Sequence, residues 1–137
     1  MHVLKASVRF RNTTNQPVVL GYIADSAVVT DNYGARYQSQ VNQRGDGAAG
    51  IGTVTHAKAN PQFVLAPGAS RDATFTVSRY KRDSRIGSTF TFDLTIAHLE
   101  VLAGDQIHLL REYAVGFTAL TAGGGSFLDR LRQPQPR

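Results

Sequence analysis

Apolar residues on a single parity near the C-terminus constrain the fold more than any other feature of this chain. Two runs show this pattern: Phe90, Phe92, Leu94 and Ile96, and then Leu109, Tyr113, Val115 and Phe117. A period of two residues is typical of a β-strand with one buried face. The two runs therefore predict a pair of strands, each with one face in the core.

The turn between these runs predicts how the two strands pair. Gly104-Asp105 lies between them, and glycine at the first position of a two-residue loop is typical of a type II′ β-hairpin. Such a loop sets three apolar pairs opposite each other: Ile96 with Tyr113, Leu94 with Val115, and Phe92 with Phe117. A slip of one residue would separate the two apolar faces, so turn and pattern support the same register.

The rest of the chain also predicts strands and turns. Extended segments are expected at residues 4–10, 18–23, 27–30, 36–39 and 73–77. Turns are expected at residues 12–17, at residues 31–34, where Gly34 can adopt a positive φ angle, and at Pro67-Gly68. The glycine-rich residues 41–53 predict a long exposed loop. With no helical pattern before residue 121, about seven or eight short strands predict an all-β antiparallel sandwich or barrel.

Three segments then occur in a familiar order: VRFRNTTNQPVVL, TDNYGARYQ and FVLAPGASRDATFTV. A strand ends in Asn-Thr, an Asp-x-x-Gly-x-x-Tyr turn follows, and a Leu-x-Pro-Gly turn precedes a strand with an alternating Phe. This order resembles bacterial telokin-like immunoglobulin-fold domains over about residues 5–120. The resemblance implies an immunoglobulin-like antiparallel β-sandwich over residues 1–121. It also implies a binding or assembly module, because members are mostly parts of lipoproteins or secreted proteins.

The sequence indicates the cellular compartment less directly than it indicates the fold. The N-terminus alternates instead of forming the apolar run of a signal peptide, and the chain has no cysteine for lipidation. We therefore expect an extracytoplasmic protein, periplasmic or secreted, if this chain is a mature form or an excised domain. The alternative is a cytoplasmic protein. No apolar run approaches the length of a membrane helix, so no membrane span is expected.

Catalytic signatures are missing from the sequence. The absence of cysteine excludes disulfides, a thiol nucleophile and cysteine-based metal sites. His2, His56, His98 and His108 show no metal-ligand spacing, and there is no nucleophile elbow and no phosphate-binding loop. We therefore expect no enzyme activity, no cofactor and no metal.

Two charged loops are candidate contact surfaces, at residues 41–58 and 79–87. The first contains Arg44-Gly45-Asp46, a tripeptide found in integrin ligands, although a glycine-rich loop explains it equally well. The second contains a basic cluster: Arg79, Tyr80, Lys81, Arg82 and Arg85. With a net charge of +5, this cluster is either a solvated hairpin tip, a protein-binding loop or a nucleic-acid contact.

The apolar face of the last hairpin becomes polar near its turn. His98 and Arg111 continue the inward parity of their strands and are expected to lie opposite each other, with Glu100 next on the same face. Either the sandwich ends there and this face meets solvent, or these side chains form a small polar binding pocket.

Residues 122–137 are expected to be a flexible glycine linker followed by a short tail. Gly123-Gly124-Gly125 ends the last strand, and Phe127, Leu128 and Leu131 could lie along one side of a short helix that Pro134 ends. The tail is either a disordered end or linker, or a docking segment for this domain, another copy or another protein.

The sequence as a whole predicts a non-enzymatic binding or assembly module that contacts a protein partner through its loops. The first alternative is a structural subunit of a larger assembly, which would self-associate through edge strands or the C-terminal tail. The second is a nucleic-acid-binding domain that uses residues 79–85.

Overall fold

The computed structural model describes residues 2–39, 48–55, 59–79 and 87–121. Within these ranges every regular element is a strand except one 3₁₀ turn at Ala103–Asp105, so the all-β prediction is confirmed. The strands are β1 (His2–Arg11), β2 (Val18–Ile23), β3 (Val28–Asp31), β4 (Arg36–Gln38), β5 (Ala48–Ala49), β6 (Thr53–Val54), β7 (Phe63–Leu65), β8 (Ser70–Arg79), β9 (Phe90–Leu102) and β10 (Gln106–Leu120).

The ten strands belong to one sheet with β9 at its centre. One edge of β9 pairs with β3 over residues 90–93 and with β2 over residues 96–99. Its other edge pairs with β10 along the whole strand. From β3 the sheet continues through β4 and β8 to β1, while β6 and β7 lie beyond β2 and β5 pairs with β8.

The sheet curls over, because strands that are distant in the pairing order pack together in the core. The ring centroids of Tyr22 on β2 and Phe75 on β8 are 5.0 Å apart. Phe92 on β9 lies 5.9 Å from Phe75 and 6.0 Å from Phe117 on β10. These aromatic contacts join both halves of the sheet in one apolar cluster, which burial of hydrocarbon surface stabilises.

The first strand shows the alternation that the sequence predicts. Ala6 and Val8 are buried in the main core, while Lys5 and Arg9 are exposed on the other face. Arg9 donates from Nε to Asp72 on β8 at 2.9 Å. β1 therefore has a buried apolar side and a charged side.

The predicted register of the last hairpin is confirmed. Ile96 pairs with Tyr113, Leu94 pairs with Val115, and Phe92 pairs with Phe117. His98 pairs with Arg111, which is also as expected.

The predicted two-residue loop and the placement of Leu109 are wrong. The turn has three residues, with Gly104 at φ 77°, and Leu102 pairs with Gln106. A β-bulge at Leu110 absorbs the extra residue, since Leu109 pairs with Leu99 and the next pair joins Arg111 to His98. The register shift from the longer turn and the opposite shift from the bulge cancel from residue 111 onward. The rest of the hairpin therefore keeps the predicted register, while Leu109 lies on the other face.

Polar side chains stabilise two of the predicted turns through hydrogen bonds to backbone groups. Asp31 Oδ1 accepts hydrogen bonds from the backbone amides of Tyr33 and Ala35, both at 2.9 Å, and Gly34 adopts φ 83°. Buried Asn12 donates from Nδ2 to the carbonyl oxygens of Gln16 at 2.7 Å and Leu65 at 3.0 Å. These turns are therefore fixed by side chains that satisfy backbone groups.

The prediction of an exposed loop over residues 41–53 is wrong for residues 48–53. Ala48 and Ala49 pair with β8, Thr53 pairs with β2, and Ile51 is buried in the main core. At Gly52 a Cβ atom would overlap with Asn60, so this glycine reflects close packing and not an open loop. Residues 41–47 lie outside the described residues.

Candidate functional site

The long edge strand β10 is the candidate binding element in the described part of the chain. It has 15 residues and is paired on one side with β9. No other described strand pairs with its second side. Backbone N–H and C=O groups that point away from β9 therefore pair with no described strand, and an edge of this kind can pair with a further strand.

Apolar side chains are exposed along this hairpin. Among the described residues, seven large apolar side chains are exposed, and four of them lie on β9 or β10. They are Val101 at 49%, Leu109 at 44%, Leu110 at 52% and Tyr113 at 43%. The bulge explains part of this exposure, because it turns Leu109 and Leu110 out of the alternation that buries Phe117.

The two faces of β10 differ in chemistry. We call the side that carries Tyr113, Val115 and Phe117 the core face, since these residues pair with core residues of β9. The opposite face carries Glu112, Ala114 and Gly116.

Asp93 adds a second carboxylate to this opposite face. It pairs with Gly116, and a Cβ atom on that glycine would lie 2.8 Å from Asp93 Oδ1. The Asp93 side chain therefore lies over Gly116, toward the free edge. With Glu112 farther along the same face, the edge presents two carboxylates beside small side chains, although the whole chain carries a net charge of +5.

The predicted polar end is only partly assembled. Arg111 lies opposite His98, and Glu100 lies opposite His108. The Arg111 guanidinium is 5.9 Å from the Tyr113 ring. Glu100 and Arg111 are exposed, which fits a face that meets solvent.

Most of the other predicted contact residues lie outside the described residues. Those residues are Arg44, Asp46, Tyr80, Lys81, Arg82, Arg85, Phe127, Leu128 and Leu131. Arg79 is described, and its guanidinium lies 5.3 Å from the ring of buried Tyr37. Arg79 therefore packs on the domain.

A small pocket beside β3 was not anticipated from the sequence. It has a volume of about 120 Å³ and is lined by Thr30, Asp31, Asn32, Thr89, Phe90, Thr91 and Ala119. Asp31 is 6% exposed, and its Oδ2 atom has no hydrogen-bond partner among the described residues. The carboxylate packs against Gly87, where a Cβ atom would overlap with it. Because Oδ1 holds the adjacent turn, we assign Asp31 a structural role.

No group of three or more His, Asp or Glu side chains in the described ranges is arranged to hold a metal ion. The described residues contain no helix with the length and hydrophobicity that a membrane crossing requires.

Comparisons with protein families, with curated proteins and with solved structures found no match to this chain.

Proposed function

We propose that this domain is a non-enzymatic protein-binding or assembly module and that its docking element is the free edge of β10. The observation that carries this proposal is a 15-residue strand that pairs only with β9 among the described strands, with exposed apolar side chains beside it. A partner in extended conformation would add a strand to this edge, gaining backbone hydrogen bonds and side-chain contacts on both faces.

A contrast with β1 supports the choice of edge. β1 also pairs with one strand, β8, among the described residues. Its exposed face carries Lys5 and Arg9, and charged side chains are a common protection of edge strands against further pairing. β10 carries two charges in 15 residues, Arg111 and Glu112, and it contains no proline.

The chemistry of the edge indicates the chemistry of the partner strand. Apolar side chains fit the core face beside Tyr113 and Val115. Basic side chains fit the opposite face, where Glu112 and Asp93 supply negative charge. The proposed partner is therefore an extended segment in which apolar and basic residues alternate.

The finer fold assignment and the compartment are part of the same proposal. The contact of Tyr22 with Phe75 across the curled sheet supports an immunoglobulin-like sandwich. The resemblance to telokin-like domains supports a module of a bacterial envelope or secreted protein. Contacts through residues 41–58 and 79–87 remain a prediction.

Two synthetic peptides of about eight residues test the proposal, one alternating valine with lysine and one alternating valine with glutamate. We expect the lysine peptide to bind the full chain about tenfold more tightly in fluorescence anisotropy, because two carboxylates attract it and repel the other peptide. This preference would oppose the net charge of the protein.

Substitution at the edge supplies the control. Glu112→Lys should abolish the preference, because the new positive charge offsets Asp93, whereas Glu100→Lys, the same charge change on β9, should leave it intact. Failure of the lysine peptide to bind, or equal affinity for both peptides, would contradict strand addition at β10.

A further inference from the structure

We propose that the strand that docks on the free edge of β10 has the same arrangement of apolar and polar residues as β9, with apolar side chains that change face partway along it. The inference rests on the proposed function and deepens it, because it names the side chains of the partner along the edge from Ile107 to Phe117. The occupant is an extended segment of another protein.

The apolar side chains of β9 change face partway along the strand. Three of them lie on the core face and are buried in the main core: Phe92, Leu94 and Ile96. Farther along, Leu99 and Val101 have the other parity and lie on the opposite face together with Ala97. The core parity is polar there, with His98 and Glu100. The strand that pairs with β10 therefore has an apolar core face at one end and an apolar opposite face at the other.

β10 shows the same change of face, because a β-bulge at Leu110 interrupts its alternation. Tyr113 lies on the core face and is 43% exposed, whereas Leu109 lies on the opposite face and is 44% exposed. Ile107 shares the opposite face and is half-buried. An added strand would therefore meet apolar surface first on one face and then on the other.

A cross-strand row of apolar residues ends at the free edge. It crosses four strands through successive pairs on one face: Val64, Val19, Leu99 and Leu109. Leu99 inside the row is 2% exposed, whereas Val64 and Leu109 at its ends are each 44% exposed. Because paired residues share a face, a strand added about 4.8 Å from β10 sets one side chain beside Leu109 in this row. An apolar residue at that position would cover Leu109.

A regular strand can pass the bulge without a break. β9 already does so, with Leu99 opposite Leu109 and His98 opposite Arg111, while no residue of β9 pairs with Leu110. An added strand on the same path sets consecutive residues opposite Arg111 and Leu109. Since consecutive residues of a strand point to opposite faces, its apolar side chains change parity at this point.

Charged side chains define the polar positions of the added strand. Glu112 lies on the opposite face, and Asp93 lies over Gly116, so basic residues fit opposite Glu112 and Gly116. Arg111 is exposed on the core face and favours an acidic residue opposite it. A basic and an acidic residue are then neighbours in the partner at the point where the apolar parity changes.

These positions define the peptide Val-Lys-Val-Thr-Val-Lys-Glu-Val-Thr-Val, which runs antiparallel to β10 from Phe117 to Ile107. Its lysines lie opposite Gly116 and Glu112, its glutamate lies opposite Arg111, and the next valine lies opposite Leu109. A matched peptide, Val-Lys-Val-Thr-Val-Lys-Val-Glu-Val-Thr, has the same composition and charge but keeps one parity throughout. The two peptides differ only after the second lysine.

Fluorescence anisotropy with the full chain compares the two peptides. We expect the first to bind about tenfold more tightly, because the second loses the favourable pairs with Arg111, Leu109 and Ile107. Equal affinity, or tighter binding of the second peptide, would overturn this inference alone. Failure of both peptides to bind would contradict the proposed function and this inference with it.

Substitution of one leucine tests the register. Leu109→Thr should reduce the preference for the first peptide to about threefold, because one apolar pair is lost. Leu110→Thr, the same change at the unpaired bulge residue, should leave the preference intact. Equal effects of the two substitutions would refute the register.

Charge exchange tests the polar position opposite Arg111. Arg111→Glu should weaken binding of the first peptide about threefold and strengthen binding of its counterpart with lysine in place of glutamate. Arg11→Glu, the same charge change on β1, should alter neither affinity. An unchanged preference in the Arg111 variant would overturn the placement of the acidic residue. The peptide comparison itself uses the unaltered chain and does not depend on the folding of any variant.

Discussion

Replacement of Phe92 by alanine tests the core on which the hairpin register depends. Phe92 has no exposed surface, and its ring lies 5.9 Å from that of Phe75 and 6.0 Å from that of Phe117. Truncation would leave a cavity where strands from both halves of the curled sheet meet. We expect a loss of about 3–5 kcal/mol in the free energy of unfolding.

That loss is a large fraction of the total stability of a typical domain, about 5–15 kcal/mol. Urea unfolding followed by circular dichroism measures it. For a slope of about 1.5 kcal/mol per molar urea, a loss of 4 kcal/mol lowers the midpoint by roughly 2.7 M.

Tyr33→Ala is the matched control, since Tyr33 is 56% exposed in a turn. It should change the free energy of unfolding by less than about 0.5 kcal/mol. A loss below about 1 kcal/mol for Phe92→Ala would refute the packing of β9 against β8 and β10.

Two further predictions concern buried polar groups. Gly87→Ala should lower stability by about 1–3 kcal/mol in the same assay because the new methyl group overlaps with Asp31, and an unchanged midpoint would contradict that packing. Burial raises the pKa of Tyr22, so its contribution to stability should be complete below pH about 10 and decline as the pH rises through the folded-state pKa. Tyr22→Phe should flatten this alkaline decline and, at neutral pH, cost about 1–2 kcal/mol for the lost hydrogen bond from the Ala27 amide; an unaltered pH profile would argue against the assignment.

The sequence predicted the body of the last hairpin well because residue parity fixes which face each side chain occupies. The pairs from Ile96 with Tyr113 to Phe92 with Phe117 follow from that parity. Leu109 did not follow, since a β-bulge has no sequence signature comparable to alternation. Alternation predicts the faces of residues on each side of Leu110 separately, but it does not predict the change of phase at the bulge.

The prediction of an exposed loop at residues 48–53 was wrong for a different reason, which concerns the role of glycine. A glycine-rich segment resembles an exposed loop when only conformational freedom is considered. Gly52 instead permits close approach of Asn60, and Ile51 beside it is buried. The same ambiguity hid Gly116, whose missing side chain makes room for Asp93 at the candidate edge. Long-range neighbours decide between the two meanings of glycine.

The three-residue turn at Ala103–Asp105 shifts the pairing register by one residue, and the bulge at Leu110 shifts it back. Between them, residues 106–109 follow a phase of their own, offset by one position from the strand body. Insertion or deletion of one residue within this interval would exchange the sides of the hairpin tip while the pairs from Tyr113 to Phe117 stay in place. Because Ile107 packs against the buried cluster of Val54, Ala97 and Leu99, such a change would also alter that small cluster, while the main core keeps its pairs.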